Sequence, residues 1–213
     1  MSDLFSINAL EFVYPINKNK KVLSNINISI SQGQSLVIHG SAGSGKTTLI
    51  NLILGLLKPS KGRLMFKDKD CYGNTGILLN ETGYVSQSPI DQFIGRTVYE
   101  DIVFSVRNEA ESKNDKLFSI INKLDIKLNI LNRPPHTLST GEALLCTAAG
   151  ALINDPAVLI LDDPLQGLDD NHKTKIMEII NIYIKDKKKT LIITTTNEEL
   201  IDGTKCYRLG KIE

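Results

Sequence analysis

Gly40-Ser41-Ala42-Gly43-Ser44-Gly45-Lys46-Thr47 is the stretch on which the reading of this chain turns. It matches the spacing Gly-x-x-x-x-Gly-Lys-Ser/Thr. On its N-terminal side Ser35-Leu36-Val37-Ile38 reads as a short buried strand. On its C-terminal side Thr48-Leu49-Ile50-Asn51-Leu52-Ile53-Leu54 reads as the opening of a helix. A chain that turns from strand to helix over glycines can aim successive backbone N–H groups at one anion, with no Cβ in the way. The helix N-terminus adds its partial positive charge. Lys46 has the reach for the β- and γ-phosphates, the Thr47 hydroxyl suits Mg²⁺, and Thr48 opens the helix beside it. Gly40 to Thr48 therefore predict a nucleoside-triphosphate site. A Gly/Ser surface loop would not explain why strand, lysine, threonine and helix follow in that order.

Upstream, residues 4–14 carry apolar and aromatic side chains in partial alternation and predict a strand, and Pro15 to Lys21 predict a polar turn. Val22 to Ile30 place Leu23, Ile26, Ile28 and Ile30 between polar neighbours, the pattern of a half-solvated antiparallel strand. Tyr14 is either a core residue or an aromatic on the rim of the nucleotide pocket, where its ring can stack on a base.

Downstream, the helix that starts at Lys46 is predicted to run to residue 57, because Lys58-Pro59 forbids continuation. Gly62 to Lys67 predict a strand. Gly83-Tyr84-Val85-Ser86-Gln87 predict a short buried strand ending in an amide, and Ser88-Pro89 break it. Gln87 is then either a solvated loop residue or a group that holds Mg²⁺ or the attacking water. Thr97 to Phe104 and Asn108 to Leu124 are helix-compatible, with a solvated face at Glu109, Glu111, Lys113, Asp115 and Lys116. Leu138-Ser139-Thr140-Gly141-Glu142 offers Ser139 as a helix cap and Glu142 as the other half of a capping box, opening a helix over 142–153. Ala157-Val158-Leu159-Ile160-Leu161-Asp162 is an apolar run closed by an acid. That predicts a buried parallel strand delivering a carboxylate to its C-terminal edge, where α/β sheets bind ligands. Asp162 is the natural acid on the Mg²⁺ side, and Asp163 stands one step further, where it can take a proton from water. A helix over 171–184 and a second buried strand, Thr190 to Thr195, follow, and Lys205 to Ile212 predict a last edge strand.

The 213 residues suffice for one large domain with a real core. With 25 basic and 24 acidic side chains the formal charge is +1, which gives no reason to expect nucleic acid as a partner. Cys71, Cys146 and Cys206 lack metal-ligand spacing and suit free thiols in a reducing compartment. No signal peptide and no apolar run of membrane-spanning length is visible, so work at a membrane would need another chain.

The order of these motifs resembles the ATP-binding cassette (ABC) ATPases over roughly residues 4–212. In that likeness Gln87 stands in the Q-loop place, and Leu138-Ser139-Thr140-Gly141-Glu142 stands where the family has Leu-Ser-Gly-Gly-Gln. Val158 to Pro164 take the place of the acid-bearing strand, Leu168-Asp169 that of the D-loop, and Tyr14 that of the adenine-stacking aromatic. Gln87-Ser-Pro-Ile-Asp-Gln92 followed by Thr97-Val-Tyr-Glu-Asp-Ile-Val-Phe104 is similar to the energy-coupling-factor and cobalt-type uptake ATPases. The resemblance implies an α/β fold: a mostly parallel P-loop NTPase sheet, an N-terminal antiparallel β subdomain and a helical insert near residues 88–155, all within one domain over 1–213. It implies ATP and Mg²⁺ as ligands and a head-to-tail dimer, homo- or heteromeric, that sandwiches two ATP. Ser139, Thr140 and Gly141 of one chain would face the P-loop of the other. It also implies a transmembrane partner, whose coupling helix sits in a groove expected near Phe93 and Val98, and a cytoplasmic place on the inner face of the membrane.

Four departures from the family pattern bear on hydrolysis. Asp163 replaces the usual glutamate, and a carboxylate one methylene shorter falls about 1 Å short, which can cost roughly 100-fold in rate. Thr196 takes the place of the switch histidine, and His39, His136 and His172 do not substitute by position. Thr140 and Glu142 replace a glycine and a glutamine, the latter adding an acid near the nucleotide. The helix start, Glu142 to Thr147, lacks the family's basic and glutamine side chains. The sequence thus predicts ATP binding with slow hydrolysis in a subunit energising metal-ion or vitamin uptake. A nearly inactive regulatory subunit and a soluble non-transport protein are the alternatives.

Overall fold

Alternation with period two decides which face each strand buries, and here it builds two sheets. A computed structural model describes residues 3–16, 20–106, 112–186, 188–197 and 204–210. Strands β1 (Asp3–Val13) and β2 (Lys21–Ser31) pair antiparallel, as the alternating apolar residues predict. β4 (Lys61–Phe66) and β5 (Lys69–Asp70) extend them into a four-stranded sheet ordered β2-β1-β4-β5. The apolar runs form a separate parallel sheet: β3 (Ser35–His39), β6 (Thr82–Val85), β7 (Val158–Asp162), β8 (Thr190–Thr195) and β9 (Lys205–Arg208), ordered β6-β7-β8-β3-β9.

Each central parallel strand splits its side chains between two cores. Leu36, Ile38, Val158, Ile160 and Ile192 pack on the antiparallel sheet side, together with Leu49, Ile50, Leu52 and Ile53 of α1 (Lys46–Ile53). Val37, Leu159, Leu161, Leu191 and Ile193 face the other way, into a core shared with the helices. Those helices are α3 (Val98–Phe104), α4 (Lys113–Lys123), α5 (Thr140–Leu152) and α6 (Asp170–Lys185); α2 (Thr75–Glu81) precedes β6. Spacing explains them: α4 buries Leu117, Ile120 and Ile121, and α6 buries Ile176, Ile179, Ile180 and Tyr183. Thr97, Ser112, Ser139 and Asp169 cap the four N-termini with side-chain oxygens. Glu109, Glu111 and the 108–111 start of the predicted helix lie outside the described residues, as do 211 and 212.

One boundary is corrected. The helix that begins at Lys46 does not reach residue 57; it stops at Ile53. Gly55 adopts φ 69°, its N–H donates to the Leu52 carbonyl at 3.0 Å, and the Leu56 N–H donates to Asn51 at 2.9 Å. This is a Schellman stop, and it acts one turn before Pro59 can. Among the described residues no helix is long and apolar enough to cross a membrane. Cys71 and Cys146 are buried free thiols, pushed up to about 12 chiefly by burial, and Cys206 is exposed.

Candidate nucleotide site

The Gly40–Thr47 loop joins the C-terminal end of β3, which lies between β8 and β9 in the parallel sheet, to α1. Gly40 anchors it, its N–H donating to the Thr195 carbonyl at 3.2 Å. A Cβ at Gly40 would lie 2.4 Å from Ser44 Oγ and 2.8 Å from the Leu209 carbonyl, so nothing larger than glycine fits. Gly43 and Gly45 adopt φ 78° and 96°, and Ser44 N–H donates to Ser41 O, which curls the loop. Ala42 sits exposed on the curl. Lys46 is buried, with Nζ donating to Gly40 O at 2.7 Å and Ser41 O at 3.2 Å. Its ammonium is therefore held within the loop.

Thr47, Gln87 and Asp162 come together as lining of one cavity of about 420 Å³. Asp162 ends β7 and is 1% exposed. Its Oδ1 accepts from Thr194 Oγ1 at 2.5 Å, while Oδ2, also buried, has no hydrogen-bond partner among the described residues. Burial and the charge of Asp162 push the neighbouring Tyr84 phenol up to about 12. A buried carboxylate oxygen without a partner among the described residues, on an acid that lines one cavity with a threonine, fits Mg²⁺. That ion takes one or two protein oxygens and completes its shell from phosphates and water. Gln87 is exposed, and its Nε2 donates to Gln166 Oε1 at 3.2 Å. The Gln92 amide fixes the chain just before it: Oε1 accepts from Ser86 N–H at 2.9 Å and Nε2 donates to Tyr84 O at 2.8 Å.

Asp163 faces a different cavity, of about 340 Å³, that it shares with Gln166, Lys173, Thr195, Thr196 and Asn197. It adopts φ 49°, and its N–H is held by Thr194 Oγ1 at 2.9 Å. Burial raises the Asp163 carboxyl above its ordinary value; the Asp162 charge adds to this and Lys46 opposes it. Thr196 is exposed at the strand tip. His39, set aside because it precedes the loop, has Nε2 3.1 Å from the Thr196 carbonyl, a contact that follows from the β3–β8 register pairing His39 with Thr195.

Tyr14 is not a core residue. It is 40% exposed, its ring stands edge-on to Phe12, and its hydroxyl lies 3.0 Å from Thr48 Oγ1 at the first turn of α1. Ser139 and Thr140 are exposed at the start of α5, and they line neither of the two cavities. The predicted capping box is present: Glu142 N–H donates to Ser139 Oγ at 3.2 Å, and Ser139 N–H donates to Glu142 Oε2 at 2.8 Å. Glu142 therefore folds back onto its own helix, where Arg133 Nη1 pairs with Oε1 at 3.1 Å. The Ser139 N–H, then Arg133, hold its carboxyl below the usual range. Buried Gly141 is pressed against His172, whose ring would lie 2.4 Å from a Cβ there.

Thr194, Gln166, Arg133 and His172 were not singled out in the sequence as parts of this site. The usable signal was Thr194-Thr195 at the end of an apolar strand, since a buried hydroxyl must find a partner. Of the two residues expected near a groove, Val98 is fully buried and Phe93 is partly buried; a third cavity, about 410 Å³, is lined by Leu79, Tyr84, Ile94, Phe104, Gly150 and neighbours. Ile94 and Phe104 are 71% and 74% exposed.

With this geometry in view, comparison with known proteins is informative. The family model described as ABC transporter matches residues 23–166. The energy-coupling factor transporter ATP-binding protein EcfA2 of Acetivibrio thermocellus is 34% identical over 199 residues, which cover 91% of this chain and 71% of that protein. EcfA1 of Mycoplasmopsis synoviae is 33% identical, covering 98% and 81%. The solved structure of cbiO1 from Clostridium perfringens, described as part of an ABC transporter complex, superposes with a TM-score of 0.75 at 30% identity, covering 92% and 80%. The cassette MJ0796 superposes with a TM-score of 0.86 over 97% of this chain and 94% of that one; at 22% identity this speaks for the fold alone.

Proposed function

The chain belongs to the ABC transporter family of ATP-binding proteins, and from that premise we propose that it binds and slowly hydrolyses ATP to energise a membrane transporter. The likeness to energy-coupling factor ATP-binding proteins favours uptake of a metal ion or small vitamin. The observation that carries the reading is the cavity joining Thr47, Gln87 and Asp162 beside the loop that holds Lys46.

Each residue then has a part. The backbone of Gly40 to Thr48 and the N-terminus of α1 cradle the phosphates, Lys46 turns from its loop carbonyls to the β- and γ-phosphates, and Tyr14 offers its exposed ring to the base. Thr47 and Asp162, with Gln87 close by, would hold Mg²⁺, which when bound neutralises phosphate charge. Asp163 accepts a proton from the attacking water, and its raised carboxyl is a stronger base than an ordinary aspartate. Gln87 orients that water, and Thr196 contributes a hydroxyl in place of an imidazole. Ser139 and Thr140, exposed at the start of α5, with Gly141 buried beside them, contact the γ-phosphate held by a second ATPase subunit, identical or not. Glu142 does not spoil that contact, because Arg133 and the helix cap hold it. The segment 88–155 serves as the helical arm, and its groove at Ile94 and Phe104 receives a transmembrane partner, which would place the chain on the cytoplasmic face of a membrane. An ATP-binding subunit with very little turnover is the second reading, favoured by Asp163 and Thr196 standing where the family pattern has glutamate and histidine.

Calorimetric titration with ATP and Mg²⁺ tests the binding claim. The wild type is expected to bind, and Lys46→Ala to bind about 10- to 100-fold more weakly, as loss of charge-assisted hydrogen bonds implies. Equal affinities in the two proteins would contradict the site.

A further inference from the structure

We propose that Thr194 is a positioning residue that presets both acids of the nucleotide site through one hydroxyl. The inference rests on the nucleotide-site reading above and adds a residue to it. Parallel pairing of β7 with β8 sets Asp162 directly beside Thr194. The Thr194 hydroxyl donates its proton to Asp162 Oδ1 at 2.5 Å, and the same oxygen accepts the Asp163 N–H at 2.9 Å. The Thr194 carbonyl, 3.2 Å away, shares that N–H. Thr194 is 0% exposed, so its hydroxyl can meet nucleotide or water only by acting through these two neighbours.

Each half of this clamp has a distinct consequence. Tying Oδ1 fixes the Asp162 rotamer and leaves Oδ2, buried and without a partner among the described residues, as the free oxygen of an acid that lines one cavity with Thr47. An outer partner that orients a ligating oxygen in this way is commonly worth 10- to 100-fold in metal affinity. Holding the Asp163 N–H stabilises the left-handed φ of 49° at a residue that is not glycine. In that conformation Asp163 lines the cavity with Thr196 and Gln166, not the one that Asp162 lines. A shorter carboxylate in place of the family's glutamate needs its backbone placed by something, and the Asp163 N–H is held by the hydroxyl and the carbonyl of Thr194. The two acids thus diverge into two cavities because one threonine holds both.

The test compares wild type, Thr194→Val and Thr194→Ser by binding of a fluorescent N-methylanthraniloyl-ATP, first in EDTA and then on titration with MgCl₂, beside steady-state turnover. Valine keeps the shape and removes the hydroxyl; serine keeps the hydroxyl and removes the methyl. The expected result is unchanged affinity in EDTA for all three. For Thr194→Val the Mg²⁺ midpoint should rise about tenfold or more with a fall in kcat, while Thr194→Ser restores both. Should the valine variant fail to fold, Thr194→Ala against Thr194→Ser makes the same comparison, since both lack the methyl and one retains the hydroxyl. A valine or alanine variant whose Mg²⁺ midpoint and kcat stay within about twofold of the serine variant overturns the assignment. A wild type that binds no nucleotide under either condition removes the site itself, which is a separable failure.

Discussion

Asp163 shows how placement changes what a carboxylate can do. It is 7% exposed, beside Asp162, and burial raises its pKa despite the nearby Lys46. In the unfolded chain it titrates near its ordinary value, so ionising it in the folded protein costs stability wherever the pH lies above that raised pKa. Asp163→Asn is therefore expected to melt higher than wild type at pH 7. The gap should close as the pH falls through the folded pKa toward 3.8. Melting curves across that range would check it, and a variant less stable than wild type at pH 7 would contradict the sign. At this scale the grouping of Thr47, Gln87 and Asp162 in one cavity was legible, Thr47 and Asp162 from short local motifs and Gln87 only from the family resemblance. Thr194, Arg133 and His172 were not, because their roles are contacts made across strands and helices. Thr194 meets acids 31 and 32 residues away, and no local pattern records that.

Gly55 does for an element what Asp163 does for the site. The apolar run after the P-loop and the proline at 59 both suggested a longer helix, but a glycine able to take φ 69° ends it early. A Cβ at Gly55 would lie 2.4 Å from the Cys71 carbonyl oxygen, in a backbone region that side chains avoid. Gly55→Ala should destabilise the fold by about 2 kcal/mol. That is a fall of roughly 4–8 °C in melting temperature for a chain of this size. A melt within about 1 °C of wild type would show that the turn relaxes freely. Helix starts were easier to read than this stop. The Ser139–Glu142 capping box is local, whereas a left-handed stop depends on what packs over it.

For the whole molecule, the division of each parallel strand between two cores puts the loop, the acids and the amide at one edge of the sheet. β3 brings the phosphate loop, β7 brings Asp162 and Asp163, and β8, lying between them, supplies the threonine that touches both acids. The architecture was readable because apolar runs closed by polar tips are the mark of buried parallel strands. The order of strands was not, since it is set by long-range pairing. That Val98 is buried while Ile94 and Phe104 are exposed was not readable for the same reason: a side chain is buried or exposed according to its neighbours. The activity proposed for this arrangement is ATP turnover. Steady-state hydrolysis with Mg²⁺, measured for wild type, Lys46→Ala and Asp163→Asn, tests it most directly. The account predicts slow turnover in the wild type that falls by about 100-fold or more in both variants, with Asp163→Asn still binding ATP. Turnover that survives either substitution, or a wild type that binds ATP without hydrolysing it, would contradict the claim.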